Sequence, residues 1–450
     1  MTSRTPVDTS ETSETSQTGD TRRTGGADTA LTAPSAGAPS RRGWRRWAMD
    51  TRPLAVPAYR RLWSSTIVTT VGSQLTAVAV PKQIYDITHS SAWVGYASLA
   101  GLVPMVAFAL WGGAVADAVD RRKLLLVTNI GIAVTSVLFW AQAFAGVGSV
   151  LLLMVLLALQ QAFFGLNAPA RTASIARLVP AEQLAAANAL GSTVAQTGLV
   201  VGPLLAGALI PVVGLPELYL LDAVALCVTV WAVYRLPALP PLGDSARRAG
   251  LREIGEGFRY LLLRKVLLLS FLADIVAMVF GMPRALFPQL AAETYGSWGE
   301  GLALGLLFAG IPVGAVLGGL CSGVFSRARR HGWMVIGSVV GWGAAIAGFG
   351  LSGNLWVALA FLAVAGVADM VSMVFRGAIL LSAATDEMRG RMQGVFTVVV
   401  AGGPRLADVL HGTAGSVFGP RAAVAGGGAL VVLVMLVLTL AVPALRRYRI

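Results

Sequence analysis

The sequence predicts an all-α membrane protein: twelve transmembrane helices in two pseudo-symmetric six-helix halves. Composition, recurring apolar runs and a set of repeated landmarks lead to that fold. Of the 450 residues, 56% are hydrophobic and 13% charged, whereas soluble domains carry charge on about a quarter of their residues. Charge-free runs of about twenty residues recur, for example 124–145 and 422–440; at about 1.5 Å per residue each crosses a hydrocarbon core of roughly 30 Å. A closed barrel would need short strands alternating apolar and polar residues, and that period is absent.

The landmarks recur about 205 residues apart: Gly113 and Gly319, Arg121 and Arg327, Arg171 and Arg376, Glu182 and Glu387, Gly198 and Gly403. A duplicated six-helix unit explains them. Parallel halves of that kind build transporters whose substrate site lies between the halves near the midplane.

In chain order, residues 1–55 read as a disordered cytoplasmic tail. They are rich in Thr, Ser, Gly and Asp and lack the apolar stretch of a signal peptide. Arg41, Arg42, Arg45 and Arg46 interleave with Trp44 and Trp47 as a cationic, aromatic topology anchor at the headgroups. The N-terminal half, 56–235, has predicted helices near 62–85, 92–116, 123–145, 148–168, 184–212 and 217–235. A cytoplasmic linker, 236–264, opens with a proline cluster, carries Arg247, Arg248, Arg252 and Arg259, and includes a short amphipathic helix over Leu251 to Leu263. The C-terminal half, 265–450, has predicted helices near 265–290, 301–325, 333–352, 354–377, 391–418 and 421–445.

Orientation follows from the cations. Arg60 and Arg61, Arg121 to Lys123, Arg171 and Arg177, the linker, Arg327 to Arg330, Arg389 and Arg391, and Arg446 to Arg449 all fall on one side; Arg421 is the exception. By the positive-inside rule both termini are cytoplasmic. The net charge of +13 therefore reports topology and not a nucleic-acid partner. Cys227 and Cys321 lie in apolar segments and are expected to be small core residues, with neither a disulfide nor a metal site.

Two motifs carry mechanism. Between the second and third helices runs Gly112-Gly113-Ala114-Val115-Ala116-Asp117-Ala118-Val119-Asp120-Arg121-Arg122-Lys123, which resembles the cytoplasmic loop signature of the major facilitator superfamily. The resemblance implies a gating role for Gly113, Asp117, Arg121 and Arg122, with the acid pairing across the seam between halves. Ala118 stands where that signature usually has a base, and Asp120 where it often has glycine. In the fifth helix, Gly198, Gly202, Pro203 and Gly207 are similar to the Gly-Pro motif of the antiporter branches. Small residues one turn apart permit close helix packing, and the proline permits a bend.

The wider resemblance covers residues 55–447. Pro81-Lys82-Gln83-Ile84-Tyr85-Asp86, Asn167-Ala168-Pro169-Ala170-Arg171, Leu178-Val179-Pro180, Asn188-Ala189-Leu190 and Phe280-Gly281-Met282-Pro283-Arg284 are similar to the enterobactin-exporter-like branch of the superfamily. It implies a proton-linked exporter of siderophores or amphipathic drugs. Around Gly403 the chain departs from that branch with Pro404, Arg405, Leu406, Ala407 and Asp408.

Ionisable side chains at helix centres cost at least about 2.5 kcal/mol each to insert, so those present are functional candidates. Asp274 leads: it lies about ten residues into the seventh helix, roughly 15 Å deep, where a carboxyl can take up and release a proton or serve as an interhelical hydrogen-bonding group. Asp369 in the tenth helix is next. Asp408, with Arg405 and His411 at three-residue spacings, forms a polar stripe on the eleventh, either a self-neutralised pair or a proton relay. Asp222 and Arg284 read as outer-end residues. Gln74, Gln160 and Gln161 offer neutral hydrogen bonds to a substrate or to neighbouring helices.

The expected function is alternating-access export, a monomer moving a small molecule against protons, with no catalytic constellation and no cofactor. Macrolide or multidrug efflux is the alternative within transport. A non-transporting sensor on the same scaffold is the alternative from another class. Arginine outnumbers lysine 32 to 3 amid abundant Ala and Gly, a composition that points to a high-GC bacterium and its cell membrane.

Overall fold

Residues 49–240, 251–325, 328–442 and 446 are described in the structure, a computed structural model. The 1–48 stretch, with its Arg–Trp patch, lies outside the described residues, as do Arg247, Arg248 and Arg327. A 3-10 turn over Arg52–Ala55 leads into the first helix, whose Pro57 sits at the helix start, where a missing N–H costs nothing.

Six helices follow: α1 (Pro57–Thr88), α2 (Ser91–Ala118), α3 (Arg121–Phe144), α4 (Val150–Leu178), α5 (Leu184–Val213) and α6 (Leu215–Tyr234). The amphipathic segment is α7 (Leu251–Leu263). The rest are α8 (Lys265–Gly281), α9 (Phe287–Glu293), α10 (Glu300–Leu320), α11 (His331–Leu351), α12 (Leu355–Ala383), α13 (Asp386–Phe418) and α14 (Pro420–Ala441). Among the described residues, ten spans are long and apolar enough to cross a membrane by length and composition, α8 and α9 counting together as one. The more polar α1 and α13 bring the twelve.

Two differences from the sequence reading have clear causes. The predicted seventh helix, 265–290, is broken, because Pro283 pushes Met282 into an extended conformation and ends α8 at Gly281. Several helices also run past their apolar limits. α1 takes in Arg60 and Arg61, and α12 continues to Ala383. Backbone hydrogen bonding does not stop where the hydrocarbon does.

In the first bundle, α1 packs on α5 and α6, α2 on α4, and α3 on α4 and α6. In the second, α10 and α11 pack on α12, α11 on α14, and α13 on α8. Gly214 (φ 91) and Gly419 (φ 84) turn the chain between α5 and α6 and between α13 and α14, in a backbone conformation that glycine adopts without strain. They stand 205 residues apart, the spacing of the repeat.

The second bundle has a tight aromatic core. Phe287 meets Phe308 and Phe349 edge-on at 5.1 and 6.1 Å, and Trp342 is 1% exposed. Large apolar side chains such as Trp111, Leu151, Val212 and Leu440 point outward, the reverse of a water-soluble bundle and fitting for lipid. Cys227 and Cys321, expected in the core, are exposed and free. An apolar run does not say which of its residues face lipid.

Candidate functional site

The two bundles meet along α5–α10 and α2–α13. Small residues make both contacts possible. Gly198 backs onto Thr70 and Gly202 onto Gln74, where a Cβ would come 2.9 Å from the Gln74 Cγ; these hold α5 against α1 within the first bundle. Gly207 faces the other way. A Cβ there would lie 2.6 Å from the Gly301 carbonyl oxygen and 2.8 Å from the Gly305 Cα, and one on Gly305 would lie 2.5 Å from the Pro203 carbonyl oxygen. One motif thus serves two interfaces. On α2, Gly95 lies against the backbone of Asp408 and Val409, and Gly412 of α13 against Ser91.

Polar ties reinforce this seam at the end where α1 turns into α2. Lys82 pairs with Glu300 at 2.9 Å and with Asp86 at 2.5 Å. The Tyr85 hydroxyl donates to Glu293 at 2.7 Å, Gln289 donates to the same carboxylate at 3.1 Å, and Ser91 donates to Gln289 at 2.7 Å. None of Glu293, Gln289 and Glu300 was singled out in the sequence. Only the break after α8 brings α9 opposite α1.

Asp274 and Asp369, on separate helices, converge on one cation. Arg376 of α12 is ion-paired with Asp274 of α8, and its Nη2 lies 3.9 Å from the Asp369 Oδ1. Asp274 is 2% exposed and Arg376 6%. Asp369 and Arg376 lie two turns apart on α12 and so share a face, and the Arg376 Nε donates to the Ser372 carbonyl at 3.4 Å. Ser270, Phe271, Leu380 and Phe396 complete the crevice. Sequence reasoning counted Arg376 only as a repeat landmark. The predicted helix ended at 377 and left Arg376 at its rim, whereas α12 continues to Ala383 and carries Arg376 seven residues inside. Its repeat counterpart, Arg171, meets a hydroxyl instead, that of Thr66.

The stripe on α13 looks across the seam. Ser98 of α2 donates to Asp408 at 2.6 Å, and the Arg405 Nη1 lies 3.4 Å from the same hydroxyl. His411 turns its Nδ1 to the Ala407 carbonyl, 3.1 Å away, and its Nε2 is buried without a hydrogen-bond partner. No ion pair joins Arg405 to Asp408 among the described residues.

The three glutamines lie on helix interfaces. Gln74 packs on Gly202 and Gln161 on Gly101, while buried Gln160 donates to Ser136 at 3.1 Å. Asp222, read from sequence as an outer-end residue, is 1% exposed and accepts from Thr76 and Ser136 at 2.7 and 2.9 Å. Its eighth place in a twenty-residue helix puts it at depth.

At the opposite end, Gly113 lies in α2, and the Asp117 side chain is outside what the structure describes. The rest of that motif forms a clasp. Asp120 caps α3 by accepting from the Arg122 N–H at 2.8 Å and also accepts from the Leu239 N–H at 3.2 Å. The Arg121 N–H donates to the Leu239 carbonyl at 3.1 Å, and Arg122 donates to the Tyr234 carbonyl with its guanidinium 5.5 Å from that ring. The departure at Asp120 therefore has a use: it binds the start of the linker to the α2–α3 turn.

A family model described as "Transmembrane secretion effector" matches residues 48–448. The enterobactin exporter EntS of Citrobacter koseri is 31% identical over 407 residues, covering 90% of this chain and 96% of that one. EntS of Escherichia coli O139:H28 is 30% identical over the same shares. Among solved structures, the nucleoside transporter NupG superposes with a TM-score of 0.70 at 14% identity, over 87% of this chain and all of that one. A D-xylose-proton symporter does so at 0.64 and 14%, over 88% of this chain and 100% of that one. These two likenesses concern the fold. Relatives and fold neighbours alike are transporters, not enzymes. The chain is a multi-pass membrane transporter of the transmembrane secretion effector family within the major facilitator superfamily.

Proposed function

We propose that this transporter exports a siderophore or an amphipathic drug from a bacterial cell across the inner membrane, in exchange for protons, by alternating access. Similarity to enterobactin exporters over nine-tenths of the chain carries the reading. The geometry supplies a mechanism. With both termini cytoplasmic, the α1–α2 turn faces outside, so the seam ties of Lys82, Tyr85 and Ser91 make this a state closed to the outside. The halves, 56–235 and 265–450, rock about that seam as a monomer.

Coupling lies at Arg376. While Asp274 is ionised it holds the guanidinium; a proton on Asp274 releases it toward Asp369, 3.9 Å away. The two helices that carry these residues, α8 and α12, are then free to shift. One cation shared by two acids converts proton binding into a helix displacement.

The test is release of a catecholate siderophore from exporter-deficient bacteria expressing the chain or its Asp274→Asn variant, with and without a protonophore. Release that the protonophore abolishes and the variant lacks is expected. No release despite verified membrane expression would sink the siderophore substrate and direct the assay to a panel of amphipathic drugs.

A further inference from the structure

Asp222 takes no part in the coupling scheme above, yet it is among the most deeply buried acids in the chain. It sits where α1 and α3 converge on α6. Its Oδ2 accepts from the hydroxyls of Thr76 and Ser136, and Gln160 of α4 donates to that same Ser136. Its Oδ1 is buried with no hydrogen-bond partner. Beside Oδ1 lies the bare backbone of Gly72, where a Cβ would come 2.7 Å from it. The adjoining rungs of the seam are neutral. Thr69 bonds to Thr229 on one side; on the other, Tyr219 donates to Gln83 at 2.8 Å, and Gln83 exchanges hydrogen bonds with Gln142.

Among the described residues, no base faces this carboxyl. The cations of α3 are confined to Arg121, Arg122 and Lys123 at its start, and α5 has none. On α1, Arg60 and Arg61 lie more than ten residues away and Lys82 is held by Asp86 and Glu300. On α4, Arg171 meets Thr66 and Arg177 the Pro240 carbonyl. The remaining titratable groups of α6 are Glu217 in its first turn, Tyr219, the exposed Cys227 and Tyr234.

The number of donors separates the two protonation states. A carboxylate has about four lone-pair sites; here two would be filled, and a whole charge would stand without a counter-ion in a low-dielectric seam. In the acid form with its proton on Oδ1, Oδ2 becomes a carbonyl whose two lone pairs are both filled, by Thr76 and Ser136. A single hydroxyl proton then remains unmet. We propose that Asp222 is a proton-binding site of the first bundle, independent of the Asp274–Arg376 pair in the second, and that its neutral form is what lets α6 close on α1 and α3. A Cβ on Gly72 would come 2.7 Å from Oδ1, so the two helices are in close contact at this carboxyl. The export reading is not needed for this site.

Infrared spectroscopy of the full chain in lipid at neutral pH, wild type against Asp222→Asn, tests it. The difference spectrum is expected to contain the C=O band of a protonated carboxylic acid, present in the wild type, lost in the variant and unchanged when Na+ replaces K+. A difference spectrum with only carboxylate bands would overturn the proposal. So would an acid band that disappears in sodium, because a metal cation would then be displacing the proton. If Asp222→Asn fails to fold, Asp222→Glu serves: the acid band must shift, and a band that stays in place overturns the assignment.

Discussion

Lys82 and Glu300 meet at 2.9 Å across the seam between the bundles, from helices more than two hundred residues apart in sequence. Lys82 is almost fully buried and Glu300 about two-fifths exposed. Solvent screening on the Glu300 side weakens the pair, so it does not hold the seam alone. It works with Tyr85–Glu293 and Ser91–Gln289; under the proposed alternating access all three part when the outside opens.

Joining the two positions covalently is therefore expected to arrest the proposed cycle. In a Lys82→Cys/Glu300→Cys variant, a bifunctional thiol cross-linker with a reducible spacer, long enough to replace the two side chains, is expected to abolish substrate release and a reductant to restore it. Each single variant should keep release after the same treatment. Unimpaired release from a fully cross-linked sample would rule out opening along this seam.

Arg376 answers to two acids, and removing it strands both. An uncompensated buried charge costs about 3–5 kcal/mol, so Arg376→Gln should markedly lower the thermal unfolding temperature in detergent. Asp274→Asn/Arg376→Gln should recover part of that loss, because only the partly exposed Asp369 is then left beside a missing partner. A double variant no more stable than Arg376→Gln alone would show that the pair is not energetically coupled.

Asp120 holds a helix cap and the start of the linker together. Asp120→Ala should cost about 0.5–2 kcal/mol, the range of a lost cap, with Asp120→Asn retaining much of the stability. Chemical denaturation of the purified protein measures the difference. Equal stability of Asp120→Ala and wild type would mean that the Leu239 contact carries no weight.

The fold was readable because hydropathy and repeat spacing are local, additive signals. Helix number, the amphipathic segment over Leu251–Leu263 and the broad helix ranges follow from runs of side chains that lipid accepts. Individual site residues were less legible. Asp274 and Asp369 stood out as charges in apolar runs, but Arg376 looked like one more basic residue near a helix end. Asp222 looked like an outer-end acid because the predicted helix began at 217, two residues after the start of α6. Gln160 could serve a substrate or a neighbouring helix, and only its neighbours show that it donates to Ser136.

By itself, the sequence determined a twelve-helix membrane transporter, its repeat, and the small residues on which close packing depends, since each follows from transfer energies and periodicity along one stretch of chain. Only the tertiary structure decided that Arg376 serves both Asp274 and Asp369, that Gly207 faces α10 while Gly198 and Gly202 face α1, and that Lys82 reaches Glu300. Those choices depend on the rotation of each helix about its axis and on the break at Pro283. Packing against neighbours sets both, and a run of apolar residues fits lipid at many rotations.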